Sequence, residues 1–89
     1  MTKVTKDNYK IGLKVIRGLH WQYGNQDEDK KGNKLKGEIA GTYDQFNATF
    51  GNIWVVVEWE NSNAYSYRIG PEKYDLYIYE NNSQLEFEF

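Results

Sequence analysis

The sequence predicts an all-β domain, a small curled antiparallel barrel of five or six short strands. Three observations predict it. Apolar residues recur with period two in several segments of five to eight residues, Gly, Pro, Asn and Ser clusters separate those segments, and nothing in the chain has a helical period of any length. With 89 residues the chain makes one domain. So small a domain buries only about 60 to 65% of its unfolded surface. Aromatic residues offset the shortage: three Trp, eight Tyr and four Phe make up 17% of the chain, and each ring buries roughly 150 to 250 Å².

Residues 1–10 are polar, with Val4 and Tyr9 as the large apolar groups, and read as a frayed or docked leader ahead of a core beginning near Ile11. In Ile11–Arg17, Leu13 and Val15 alternate with Lys14, the pattern of a half-buried strand. Gly18 to Asp27 then forms an ordered aromatic loop: Gly18 and Gly24 would each cost a helix roughly 1 kcal/mol, and Trp21, Tyr23, Gln26 and Asp27 supply area and hydrogen-bonding groups. The charged stretch Glu28–Lys36 reads as a solvated loop. Gly37–Tyr43 is a weak strand bent by its glycines. Asp44–Asn52 is a further loop, with Phe46 and Phe50 folding back.

The strongest strand is Ile53–Glu60, where Ile53, Val55, Val57 and Trp59 share a core face. Asn61-Ser62-Asn63 marks a hairpin, and Ala64–Ile69 returns with Tyr65, Tyr67 and Ile69 on one side. After Gly70-Pro71, the segment Tyr74–Tyr79 forms another strand. The tail Leu85–Phe89 alternates strictly and is expected to form a hairpin with Tyr74–Tyr79, covering Ile16 and Tyr9, or to exchange with a second molecule. The economical architecture is an SH3-like barrel whose closure hides its sheet edges, with residues 1–10 as leader, 11–79 as barrel and 80–89 as an extra strand or tail.

Composition excludes several function classes. There is no cysteine, so neither a disulfide nor a thiolate zinc site exists, and the chain is expected to be intracellular, cytoplasmic or nuclear. No apolar run approaches the roughly 20 residues of a membrane span, and no membrane partner is expected. Net charge is −2, with five bases and one acid in residues 1–18 and seven acids and two bases in residues 54–89. That balance lacks the dense basic face of a general phosphate-backbone binder. His20 is the single histidine, so Ser-His-Asp, Cys-His and multi-imidazole metal sites lack their parts. No catalytic residue, metal or cofactor is assigned.

With these residues in place, the chain resembles the Mib-Herc domain family, named after the mind bomb and Herc ubiquitin ligases. The resemblance rests on Gly12, Val15, Arg17, Gly18, Trp21, Tyr23, Gly24, Gln26 and Asp27, then Gly37 and Ile39, then Trp54, Val55, Val57 and Trp59. Tyr67-Arg68-Ile69-Gly70 and Tyr74-Asp75-Leu76 complete it. His20, Tyr23, Glu28-Asp29 and Asn61-Ser62-Asn63 depart from the family pattern. The resemblance implies an SH3-like module that recognises substrate proteins or their peptide tails within a ligase.

The candidate ligand-binding residues are Trp21, Tyr23, Gln26, Asp27, Trp54, Tyr67 and Arg68. For Trp21 and Tyr23, packing under the loop and forming a stacking wall for a ligand both remain open. Arg17, Asp27, Arg68 and Asp75 form two opposite charge pairs, and Arg68 is expected to fork onto a carboxylate or onto loop carbonyls, fixing the loop to the sheet. The partner expected is a protein or peptide tail, bound by a monomer. The competing readings are an aromatic-cage reader of modified histone tails, which needs three rings converging around an acid, and a structural or oligomerising module.

Overall fold

Alternation along the chain produces one antiparallel sheet. The computed structural model describes residues 1–42 and 51–80. Its strands are β1 (Lys14–Arg17), β2 (Gly37–Thr42), β3 (Asn52–Trp59), β4 (Ala64–Pro71) and β5 (Leu76–Ile78), in the spatial order β4-β3-β2-β1-β5. There is no α-helix among the described residues.

Three of the four residues expected on the core face of β3 are buried, Val55, Val57 and Trp59 being at most 2% exposed, while Ile53, beside a register shift, is half-buried; Tyr67 and Ile69 of β4, Ile39 of β2, Val15 of β1 and Leu76 of β5 join the core, and Tyr65 stays exposed. A bulge at Ala40, where Ile39 and Gly41 oppose the consecutive residues Val57 and Val56, bends β2. Gly37 sits directly under the core face of β3, where an added Cβ would come within 2.4 Å of Val57 Cγ1. These devices curl the sheet.

Strand limits differ from the sequence expectation at the first strand. Lys10 to Leu13 forms a turn, with Leu13 N–H donating to Lys10 O at 3.1 Å and Gly12 at φ 93°, so β1 starts at Lys14. Ile11 is left outside, 62% exposed.

The barrel is not closed, which corrects the expectation that closure hides the edges. β4 and β5 meet only at one corner, where Ile69 bridges Tyr74 and Asp75 N–H donates to Arg68 O at 2.9 Å. The reason is that the remaining edge of β5 is already taken. Thr2 O accepts from Ile78 N–H at 2.8 Å, Val4 N–H donates to Leu76 O at 3.0 Å, and Lys3 bridges Tyr77. The N-terminal segment is thus docked, and Val4 lies wholly within the core. The expected folding back of Phe46 and Phe50, and the strand Leu85–Phe89 with its cover over Ile16, lie outside the described residues.

Because Val4 fills the core from the covering segment, Val4→Ala should cost about 2 kcal/mol, whereas Lys6→Ala two residues on should stay within about 0.5 kcal/mol. Urea unfolding of both variants checks this. Equal midpoints would mean that the N-terminal segment is no part of the folded core.

Candidate recognition site

The loop between β1 and β2 is fixed to the sheet from its first residue. Gly18 N–H donates to Asp75 O at 2.7 Å, and the backbone of Leu76 and Asp75 lies so close that any Cβ at position 18 would meet it at 2.6 to 2.8 Å. His20 N–H donates to Tyr74 O at 3.0 Å, and His20 Nδ1 accepts from Tyr74 N–H at 2.9 Å. The imidazole therefore caps the loop as an acceptor. Further along, Gln26 N–H donates to Tyr23 O at 3.2 Å, Gly24 takes φ 60°, and Leu35 N–H donates to Asp27 O at 2.8 Å. Beyond it, the Asp29 carboxylate accepts from the amides of Lys31 and Asn33, which orders the charged turn and holds the Asp29 carboxyl below its usual range.

Two arginine forks hold this loop. Arg17 donates through Nε to Asp27 Oδ2 at 2.7 Å and through its terminal nitrogen to Asp27 Oδ1, to Gly24 O at 3.2 Å and to Glu28 Oε2 at 3.2 Å. Hydrogen bonding to Asp27 raises the Arg17 guanidinium above its already high value. Arg68 forks onto Asp75, Nε to Oδ2 and the terminal nitrogen to Oδ1, both at 2.8 Å. The Arg68 backbone N–H also donates to Asp75 Oδ2 at 2.8 Å, and Tyr23 O–H donates to the same oxygen at 2.7 Å. The expectation for Arg68 is met: its fork fixes the loop to the sheet through Tyr23.

Between the forks lies a cluster of four rings. Trp21 stacks on Tyr67 with centroids 5.2 Å apart and planes 22° apart, Tyr23 meets Tyr67 edge-on at 5.0 Å, and Trp59 closes the group at 5.8 Å from Tyr67. Tyr67 O–H accepts from Trp59 Nε1 at 2.9 Å and donates to Gln26 Oε1 at 2.8 Å. Trp21 Nε1 donates to Gly24 O at 3.0 Å. Edge-to-face pairs of this kind add about 0.5 to 1.5 kcal/mol each beyond area burial. The rings touch one another instead of surrounding a gap, so they do not form an open cage for an ammonium group.

The chain's candidate residues therefore divide. Asp27 and Tyr67, 1% and 0% exposed, lie inside and hold the loop. Gln26 positions the Tyr67 hydroxyl. Trp21, Tyr23, Trp54 and Arg68 remain partly accessible, and the Arg68 guanidinium lies 5.9 Å from both the Tyr23 and the Trp54 ring centres. The residues that sequence reasoning did not place here are His20 and Trp59. A side-chain nitrogen that bonds a distant backbone or ring partner leaves no periodic trace, and the signal available at Trp59, a core-facing indole needing an acceptor, did not say which. Among the described residues no cluster of His, Asp or Glu is arranged to hold a metal ion.

A small antiparallel β-domain with a loop welded across its core face by two Arg–Asp forks is an SH3-like build without barrel closure. The chain belongs to the Mib_herc2 family, which it matches over residues 12–80. It is similar to E3 ubiquitin-protein ligase HERC2 of Mus musculus, 36% identical over 72 residues that cover 80% of this chain and 1% of that protein. It is likewise similar to E3 ubiquitin-protein ligase MIB2 of Gallus gallus, 34% identical over 73 residues covering 81% and 7%. Identity to E3 ubiquitin-protein ligase Ufd4 of Drosophila melanogaster is 38% over 66 residues, covering 73% and 2%. The chain spans only a small fraction of these relatives' length. All three matches tie the domain to ubiquitin ligases.

Burial and its hydrogen bond to Asp75 push the Tyr23 hydroxyl up to about 12, and burial raises Tyr67 as well, from an ordinary value of 10.0. An acid weakened by folding stabilises the fold fully below the unfolded value and loses that contribution as pH rises through 10 toward 12. Stability should accordingly fall across that window. Tyr23→Phe should lower stability at neutral pH by about 1 to 2 kcal/mol, since Asp75 loses one donor, and should flatten the alkaline decline. Urea titrations at neutral pH and at about pH 11 check both halves; an unchanged alkaline slope in the variant would contradict the assignment of Tyr23.

Proposed function

We propose that this domain is a non-catalytic recognition module of the kind built into ubiquitin-ligase proteins, recruiting a substrate or partner protein through a peptide segment. The observation that supports it most is the welded loop: its buried carboxylate is paired with Arg17 and its Tyr23 hydroxyl with Asp75, while parts of Trp21, Tyr23, Trp54 and Arg68 stay at the surface side by side. Rigid aromatic and arginine anchors on a fixed scaffold are the groups that dominate protein interfaces. The Trp54 and Trp21 rings supply contact area, and the remaining face of Arg68 meets a polar group of the ligand. Asp27, Gln26 and Tyr67 act from beneath by holding the geometry. The setting is intracellular, and the partner is a protein tail, not a membrane or a nucleic acid. No helix among the described residues is long and apolar enough to cross a membrane.

An array of immobilised peptides from candidate substrates, with modified histone tails included, tests the reading. For a peptide that binds, amide shift changes should map to Gly18–Asp27 and to Trp54, Tyr67 and Arg68. Trp54→Ala should weaken it at least about tenfold, the loss of roughly 1.4 kcal/mol, with the thermal midpoint little changed. Shift changes confined to the Lys30–Lys36 turn would overturn the assignment, and binding that requires a methylated lysine would favour the histone-tail reader.

A further inference from the structure

The two edges of the sheet end differently. The outer edge of β5 is covered by Thr2–Val4, whereas the backbone of β4, beyond its pairing with β3, meets only Tyr74 and Asp75 among the described residues. Which of its peptide groups face outward is fixed at both ends of the strand. Arg68 N–H donates to Asp75 Oδ2 at 2.8 Å and Arg68 O accepts from Asp75 N–H at 2.9 Å, both on the side away from β3. At the hairpin, Trp59 N–H donates to Asn63 O and Ser62 N–H to Trp59 O, each at 2.8 Å, so Trp59 and Asn63 face each other across the ladder. Counting by two from either end, Ala64 and Ser66 turn their N–H and C=O groups outward, while Tyr65 and Tyr67 turn theirs toward β3. No described residue from another segment bonds the outward groups of Ala64 or Ser66. They form a template for one more strand.

Natural edges are blunted by charge, proline or a bulge. Ala64-Tyr65-Ser66-Tyr67 carries no charge and no proline, and its register against Val55–Glu58 runs unbroken, the shift lying between Asn52 and Trp54. The neighbouring rows define which strand fits. On the face away from the core, register aligns Lys14 with Glu38, Glu38 with Glu58 and Glu58 with Ala64. Lys14 Nζ reaches Glu38 Oε1 at 2.6 Å, while Glu58, directly opposite Glu38, makes no ion pair among the described residues. Like charges directly opposite repel. Ala64 is small, so a Lys or Arg beside it on an added strand reaches across to Glu58. In the next row Gly41, Val56 and Ser66 align, which suits an apolar β-branched residue. On the other face Tyr65, 38% exposed at the margin of the core, takes an aromatic cross-strand partner.

We propose that the β4 edge at Ala64–Tyr67 binds an extended segment of a partner protein as one more antiparallel strand, with a β-branched residue opposite Ser66, an aromatic one opposite Tyr65 and a Lys or Arg opposite Ala64. The proposal rests on the reading of the domain as a peptide-recognition module and adds a backbone grip to it. Main-chain hydrogen bonds hold the segment, and alternate side chains select it. Because Asp75 already occupies the outward groups of Arg68, the grip is confined to Ala64 and Ser66.

The test uses the peptide Gly-Thr-Val-Tyr-Lys-Thr-Gly, two versions N-methylated at Val or at Tyr, and a version with Glu in place of Lys. In an antiparallel strand with Val opposite Ser66, the Val amide points into β4 and the Tyr amide points away. The parent peptide should bind saturably and shift the amides of Ala64 and Ser66. Methylation at Val should weaken it at least about tenfold, and methylation at Tyr should leave it within about twofold. Glu58→Lys should weaken the parent peptide and strengthen the Glu version, reversing their order, with a thermal melt confirming that the variant folds. Equal loss from both methylations, no reversal with Glu58→Lys, or no saturable binding of the parent at millimolar peptide would overturn the proposal. Shifts confined to Gly18–Asp27, Trp54 and Arg68 and insensitive to methylation at Val would overturn the edge while leaving the recognition reading in place. Tighter binding by a chain ending at Glu80, or dimerisation of the free domain that Ser66→Pro abolishes, would overturn it by naming residues 81–89 or a second copy as the occupant.

Discussion

The Asp75 carboxylate is the constraint on which the arrangement depends. It is wholly buried and accepts four hydrogen bonds: the Arg68 fork, the Arg68 backbone amide and the Tyr23 hydroxyl. A buried charge is tolerable only when paired and hydrogen-bonded on all sides. Here the donors come from β4 and from the loop after β1, so satisfying one carboxylate forces both against the start of β5. The same residue's carbonyl receives the Gly18 amide, and its amide reaches Arg68 O. A buried pair of this kind contributes little net stability over an apolar substitute, but removing one partner costs about 3 to 5 kcal/mol. Its role is to specify one loop position.

The second fork repeats the arrangement. Asp27 is buried under Arg17 as Asp75 is under Arg68, and the four-ring cluster lies between them. Among the described residues every buried side-chain nitrogen and oxygen has a hydrogen-bond partner. This completeness lets a domain of 89 residues with no cysteine hold a ten-residue loop in one position. Rigidity matters for the proposed function because an anchor already in position loses less entropy on binding than a mobile one.

Much of this was legible in the sequence. Period-two alternation located the buried face of β3, and Arg68 and Asp75 stood out as opposite charges inside constrained segments. Three features were not legible, each for a physical reason. Val4 is a lone apolar residue in a polar stretch, and one residue has no period, so its burial depends on the free edge of β5. Barrel closure was inferred from strand count, but whether a sheet closes depends on which segment occupies the last edge, and Thr2–Val4 occupies it here. His20 is the chain's single histidine, and its acceptor role toward the Tyr74 amide required the coordinates. Trp21 and Tyr23, left open between core and ligand wall, turn out to pack in the cluster while keeping an accessible side.

The central claim is that Tyr23 and Arg68 act on the same carboxylate as one unit. A double-mutant cycle with Tyr23→Phe and Arg68→Lys, measured by urea unfolding at neutral pH, tests it most directly, because the two side chains come from distant parts of the chain and are linked through Asp75. The account predicts a coupling energy of about 1 kcal/mol or more. Additivity within about 0.5 kcal/mol would contradict it.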